Sequence, residues 1–327
     1  MFFALLALMF GPATPLNVWF ELLSGKRNWL DFLSDNSSVL KLRLVHVILS
    51  ITTGMALSAA GRAMQQLMQN PLADPHVVGL SAGSTSAVLL TIVLFPAYSA
   101  TLLWDVFPAL WISAALGSFI ALILVQVVFQ RVVRRWGVAS LALVGLLLNA
   151  SFSAFLMLIF ARLSPDSLAE VQAWTLGSIQ PHGLFQVVLI APVLLLGALA
   201  FVVLDKELKL MSFGVEFASS HGVNVRRLRQ KSLVILMLVS AAAVCAAGSV
   251  GFIGLLIPHL TRRLFFRSAW LWARPWLNVL LGGGFLLIAD LCSRTLTSPL
   301  ELPVGVYTAL FSAPFLMAVL LRKERVA

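Results

Sequence analysis

Charge is what this sequence has least of. Only 11% of its 327 residues are Asp, Glu, Lys or Arg, whereas 60% are hydrophobic; a water-soluble domain carries about 25% charged residues. The shortage excludes an ordinary soluble domain and fits a bundle of membrane helices, each needing about 20 mostly apolar residues. Cysteine is equally sparse. Cys245 and Cys292 both lie in apolar runs, which makes them packing residues rather than a disulfide pair. There is no Gly-x-x-x-x-Gly-Lys-[Ser/Thr] phosphate loop, because Gly25-Lys26 is followed by Arg27 and lacks the upstream glycine. Nucleotide hydrolysis must then belong to another chain. The five histidines, His46, His76, His182, His221 and His259, are scattered, with no His-Glu-x-x-His and no Cys–His cluster, so no metal site is readable. His259 follows Pro258 in an apolar context and reads as a hydrogen-bonded structural histidine. The two-residue alternation of outer-membrane strands is missing as well, which excludes a closed barrel.

What is present is a series of apolar runs, near 43–67, 76–96, 106–130, 138–162, 184–204, 231–250, 252–266, 276–296 and 304–321. Residues 1–11 make a tenth, too short to cross a bilayer unaided. That first stretch lacks the basic leader of a signal peptide. The fold class expected is all-α: one transmembrane domain over residues 1–327 with about ten helices. Cytoplasmic loops are enriched in Lys and Arg. With the helices laid in alternation, seventeen basic residues collect on one side and six on the other. This asymmetry puts both termini in the cytoplasm. It also accounts for the net charge of +10 through lipid headgroups and an acidic partner surface, without nucleic acid. Shifting the sequence by 187 matches Val47-Ile48-Leu49 to Val234-Ile235-Leu236, Ala59-Ala60-Gly61 to Ala246-Ala247-Gly248, and Pro71 to Pro258. The two copies cross in opposite directions, which reads as the inverted repeat of transporters.

Few residues suggest chemistry. Asp290 is the one acid deep in a span, and such a group faces a partner or a watery cavity. Arg294 lies four residues on, on the same helical face; the pair reads either as a structural ion pair or as a docking charge. Gly282-Gly283-Gly284 reads as close helix packing. The polar segment "QNPLADPHVVGLSAG" (69–83) interrupts two apolar runs. Pro71 ends a helix by its missing donor, and Asp74 with Pro75 starts the next. Irregular backbone at membrane depth must be covered by protein or water, so the break should face the bundle interior. In 205–231, the small residues Ala218, Ser219, Ser220 and Gly222 would let another surface approach a short cytoplasmic helix; an ordinary basic loop is the alternative.

Several stretches together resemble the FecCD-type permease subunits of ATP-binding-cassette (ABC) importers for iron–siderophore complexes, haem and cobalamin. They are "RLVH" (43–46), the 69–83 segment, "AWTLGSIQ" (173–180), "GVNVRR" (222–227), "GSVGFIGLLIPHLTRRL" (248–264) and "ADLCSRTLTSPLELPVGVYTALFSAPFL" (289–316). They occur in order over nearly the whole chain. The resemblance implies a type II importer permease fold in the bacterial inner membrane, paired with a second copy or a paralogous permease. It also implies two ATPase subunits that bind ATP and Mg²⁺, a periplasmic binding protein outside, and no cofactor, metal or catalytic residue on this chain.

The same resemblance assigns sites. Arg43, His46 and Arg294 match the positions that dock the binding protein, with His46 standing where the family has arginine. Gly214, Glu216, Ala218, Gly222, Val223, Arg226 and Arg227 match the helices that couple to the ATPase; His221 replaces a usual leucine. Asn70, Pro71, Gly79, Ser81 and Gly83 fall in the pathway break. Val138, Ala139 and Ser140 stand at the family's cytoplasmic gate, as a small constriction. Siderophore ranks first as cargo, then haem, then cobalamin. An ion-driven secondary transporter would need more intramembrane acids, and an intramembrane enzyme would need a catalytic constellation.

Overall fold

The computed structural model describes residues 37–95, 103–136, 140–163, 172, 175–179, 183–265, 268, 274–296 and 302–321. Ten α-helices fall there: α1 Ser37–Leu67, α2 Leu80–Leu94, α3 Leu103–Trp136, α4 Ser140–Phe160, α5 Leu184–Ser212, α6 Val215–Ser220, α7 Val225–Ala247, α8 Ile253–Leu264, α9 Pro275–Thr295 and α10 Val304–Leu321. Nine of them coincide with the nine apolar runs. The tenth, α6, is the short helix of the polar loop, and the run 1–11 lies outside the described residues. α1, α3, α4, α5, α7 and α9 are each long and apolar enough to cross a membrane. α8 has only twelve residues, about 18 Å at 1.5 Å per residue, and cannot cross a bilayer alone.

α1 is the most enclosed of the long helices, and the reason is its small residues. It packs antiparallel on α9. A β-carbon on Gly54 would overlap the carbonyl of Gly282, and one on Gly282 would overlap Ser58. Asn278 reinforces the seam: its Nδ2 donates to the Ser58 carbonyl (2.8 Å), while its Oδ1 accepts from Thr261 of α8 (3.3 Å). The glycine triplet is therefore helix packing at Gly282 and Gly283, whereas Gly284 faces open space. Further along α1, Gly61 lies directly on the backbone of Gly254 at the start of α8. α2 and α3 meet the same way through Gly83 and Gly117, with Ser84 donating to the Ala114 carbonyl (3.0 Å). Between membrane helices no hydrophobic force acts, so such close backbone contact and interhelical hydrogen bonds carry the packing. One core cluster runs from Val45 of α1 to Tyr307 of α10.

The internal echo pairs α1 with α7, but their interruptions fall at different registers. α1 stops at Leu67 and α7 at Ala247. Pro71 lies in the break after α1, whereas Pro258 sits inside α8. The chain turns between α7 and α8 at Gly248 (φ 66) and Phe252 (φ 69). His259 Nδ1 donates to the Leu255 carbonyl (2.9 Å), the satisfied histidine expected.

Candidate functional site

Three places hold the residues singled out in the sequence. The first is the broken segment after α1. Pro71 is not what stops α1: the helix ends four residues earlier, at Leu67. Gln69 has left-handed backbone (φ 52), and the N–H groups of Met68 and Asn70 take the carbonyls of Met64 and Gln65. Asn70 Oδ1 then accepts from the Leu72 N–H (2.9 Å). Asp74 caps the next turn, its Oδ1 accepting from the His76 N–H (2.8 Å), with Pro75 at the first helical position. Gly79 (φ 85) closes this turn and starts α2.

The expectation of an inward-facing break holds for only half the segment. Gly79, Ser81 and Gly83 are buried, while Asn70 and Pro71 are exposed. His76, which the sequence reading left among the scattered histidines, ties the buried half down. Its Nε2 donates to the Val250 carbonyl (2.8 Å), and its own carbonyl accepts from Asn149 Nδ2 of α4 (2.7 Å). The break is thus held between α4 and the α7–α8 turn. Gly83 packs on α3 at Gly117. Of the three gate residues, Ser140 begins α4, and Val138 and Ala139 lie outside the described residues.

The second place is the turn carrying α6. Gly214 (φ 126) and Gly222 (φ 81) bracket it. A β-carbon at either would meet nothing within 4 Å, so both are there for backbone conformation and not for close approach. Ala218 points inward and is fully buried, which corrects the expectation that it faces another surface; its carbonyl accepts from the Val223 N–H (3.0 Å). Val223 is buried too. Asn224 caps α7 by accepting from the Arg227 N–H (3.0 Å). What α6 leaves outside is Val215, Glu216, Phe217, Ser219 and Ser220, followed by exposed Arg226 and Arg227. An aromatic ladder runs along it: Phe213 to Phe217 at 5.5 Å and Phe217 to His221 at 4.2 Å between ring centres. Phe213 is 75% exposed.

The third place is the opposite end of α1. Arg43, His46 and Arg294 are brought to one end there, and His46 and Arg294 face Asp290. Arg294 Nη2 donates to Asp290 Oδ2 (2.8 Å), and His46 Nδ1 stands 3.4 Å from Asp290 Oδ1. Arg43 and Arg294 are each 4% exposed. Of the two readings of Asp290–Arg294, the structure has the ion pair. As placed, the three are buried at the end where α1 meets α9.

The FecCD transport family model matches residues 1–322. Among curated proteins the chain is 37% identical, over 88% of its length and 79% of the relative's, to the uncharacterized ABC transporter permease YvrB of Bacillus subtilis. It is 35% identical, over 85% and 80%, to the Fe(3+)-citrate import system permease YfmE of the same organism. It is 34% identical, over 87% and 83%, to the hemin transport system permease HmuU of Yersinia pestis. A solved structure described as an inward-facing metal-chelate type ABC transporter superposes with a TM-score of 0.79, covering 98% of this chain and 97% of that one at 24% identity. That likeness establishes the fold.

Proposed function

Since the chain belongs to the FecCD transport family, we propose that it is the membrane permease of an ABC importer carrying an iron chelate inward. The observation that carries the reading is the α6 turn, a glycine-bracketed helix with exposed aromatic side chains followed by exposed Arg226 and Arg227, in a sequence without a phosphate-loop motif. ATP and Mg²⁺ are held by two partner subunits. Their closure moves α6 and its counterpart on a second permease, which is a copy or a paralogue, and the pathway between the permeases switches access. Val138, Ala139 and Ser140 form the small constriction on the ATPase side. The membrane is the bacterial inner membrane, with both termini in the cytoplasm. A periplasmic binding protein seats at the Arg43 end, where the buried Arg43–His46–Asp290–Arg294 cluster keeps α1 and α9 in fixed relation beneath the docking surface.

Cargo is proposed as siderophore first, then haem, then cobalamin. Relatives of nearly equal identity are named for ferric citrate and for hemin, so overall similarity does not separate chelates. Screening the cognate binding protein against ferric siderophores, ferric citrate, haem and cobalamin decides. The permease assignment is tested by Arg226→Glu with Arg227→Glu, which should abolish co-purification of the ATPase and uptake together. Uptake by the purified chain alone, driven by an ion gradient, would sink it.

A further inference from the structure

Asp205 is a buried acid that neither the break nor the α6 turn accounts for. It follows the apolar stretch 184–204 of α5 and is 4% exposed. A carboxylate so placed must be paired, and its partners lie on two helices. Oδ1 accepts from Arg62 Nε (2.9 Å) and from Gln66 Nε2 (3.2 Å), both on α1. Oδ2 stands 2.7 Å from Lys209 Nζ, one turn further along α5. Gln69, just past the end of α1, donates to the Met211 carbonyl in the last turn of α5 (3.1 Å). Met64 and Leu67 of α1 and Leu208 and Met211 of α5 lie buried in the same core cluster.

What continues from each helix gives this joint its meaning. α5 passes through Phe213 into Gly214 and α6; α1 passes through Gln69 into the break that ends at Gly79. At Gly54 and Gly61 α1 meets α9 and α8 through close backbone packing of small residues, with Asn278 and Asp290 also tying it to α9. In a buried ion cluster, losing one partner strands a charge in a low-dielectric surrounding, so the arrangement holds one register.

We propose that Asp205, Arg62, Gln66 and Lys209 form a latch that passes displacement of α6 to the break at 69–79. From there His76 hands it to Asn149 on α4. The latch residues are positioning residues: they touch neither nucleotide nor cargo. The inference rests on α6 being the helix that the ATPase engages, and adds the route by which its movement travels.

The test uses the whole complex in lipid nanodiscs, with Cys245→Ala and Cys292→Ala as background and Leu72→Cys, in the exposed half of the break, as reporter. The rate of maleimide labelling is compared with and without ATP and vanadate. In the parent the nucleotide should change that rate about fivefold, the low end of ordinary coupling between sites. Asp205→Asn should flatten this change while basal ATP hydrolysis continues, and Asp205→Glu should bring it back. A merely structural role would lower the yield of complex and leave the change per complex intact; that result overturns the latch. Should Asp205→Asn fail to assemble, Lys209→Met decides, since that side chain is 37% exposed and its loss is milder: a reduced response supports the latch and a full one overturns it. A parent complex that binds no ATPase, or ignores nucleotide, refutes the importer reading itself. A parent that responds and an Asp205→Asn complex that responds equally refute only the latch.

Discussion

Replacing Asp290 with alanine probes whether the Arg43 end is held by its ion cluster. The carboxylate accepts from Arg294 at 2.8 Å and faces His46 at 3.4 Å. Without it, the Arg294 guanidinium remains buried with its acid gone, and Arg43 is buried at the same end of α1. Removing one member of a buried pair costs about 3–5 kcal/mol. At about 1.4 kcal/mol per factor of ten, the unfolding constant should rise by roughly two to three and a half powers of ten. Asp290→Asn keeps the shape and an acceptor and loses a charge-assisted bond, about 1.5–3 kcal/mol. The double variant Asp290→Ala with Arg294→Ala strands fewer charges, so its loss should fall short of the sum of the single losses by about 2 kcal/mol. The assay is reversible unfolding in mixed detergent micelles, followed by tryptophan fluorescence. A loss below about 1 kcal/mol for Asp290→Ala, or strict additivity of the pair, refutes the reasoning. Binding of the periplasmic protein is measured alongside. Arg294→Ala that keeps full stability but loses binding would move Arg294 out of the core and onto the docking surface.

Two further predictions come from the glycines. Gly61→Val should force α1 off α8, because its β-carbon overlaps the Gly254 backbone, which no rotamer change relieves; overpacking of this kind costs about 1–3 kcal/mol, readable in the same unfolding assay. Gly222→Val should leave stability within about 1–2 kcal/mol, the cost of a left-handed backbone in a side-chain-bearing residue, yet lower ATPase co-purification, whereas Gly222→Asn, which tolerates φ 81, should restore it. Equal behaviour of the two Gly222 variants would show that the conformation at this position does not matter.

What could be read from the sequence is what nearby residues decide among themselves. Nine apolar runs became nine helices because run length and the absence of interrupting charge are local properties. Asp74 with Pro75 was readable as a helix start, although the turn they begin stops at Gly79 and α2 starts only at Leu80; the short helix of the polar loop was readable too. The end of α1 was not. Pro71 looked like the terminator, but the chain leaves the helix at Gln69, a residue with no intrinsic preference for left-handed backbone. Ala218 was misassigned for a similar reason: a small residue fits a buried position and a close contact equally well, and only the tertiary arrangement chooses.

The pairings that join distant segments left even less trace. Asp205 read as the first residue of the loop 205–231, because its partners Arg62 and Gln66 lie about 140 positions earlier. His76 read as one of five scattered histidines, because its partners are a backbone carbonyl at Val250 and a side chain at Asn149. These contacts tie α1 to α5, and the break to α4 and the α7–α8 turn. The cross-chain polar links are few and directional, so each holds its register until it breaks. Together with Asn278 and the His46–Asp290 pair on the α9 side, they make α1 the helix to which both α5 and α9 are keyed by buried polar contacts.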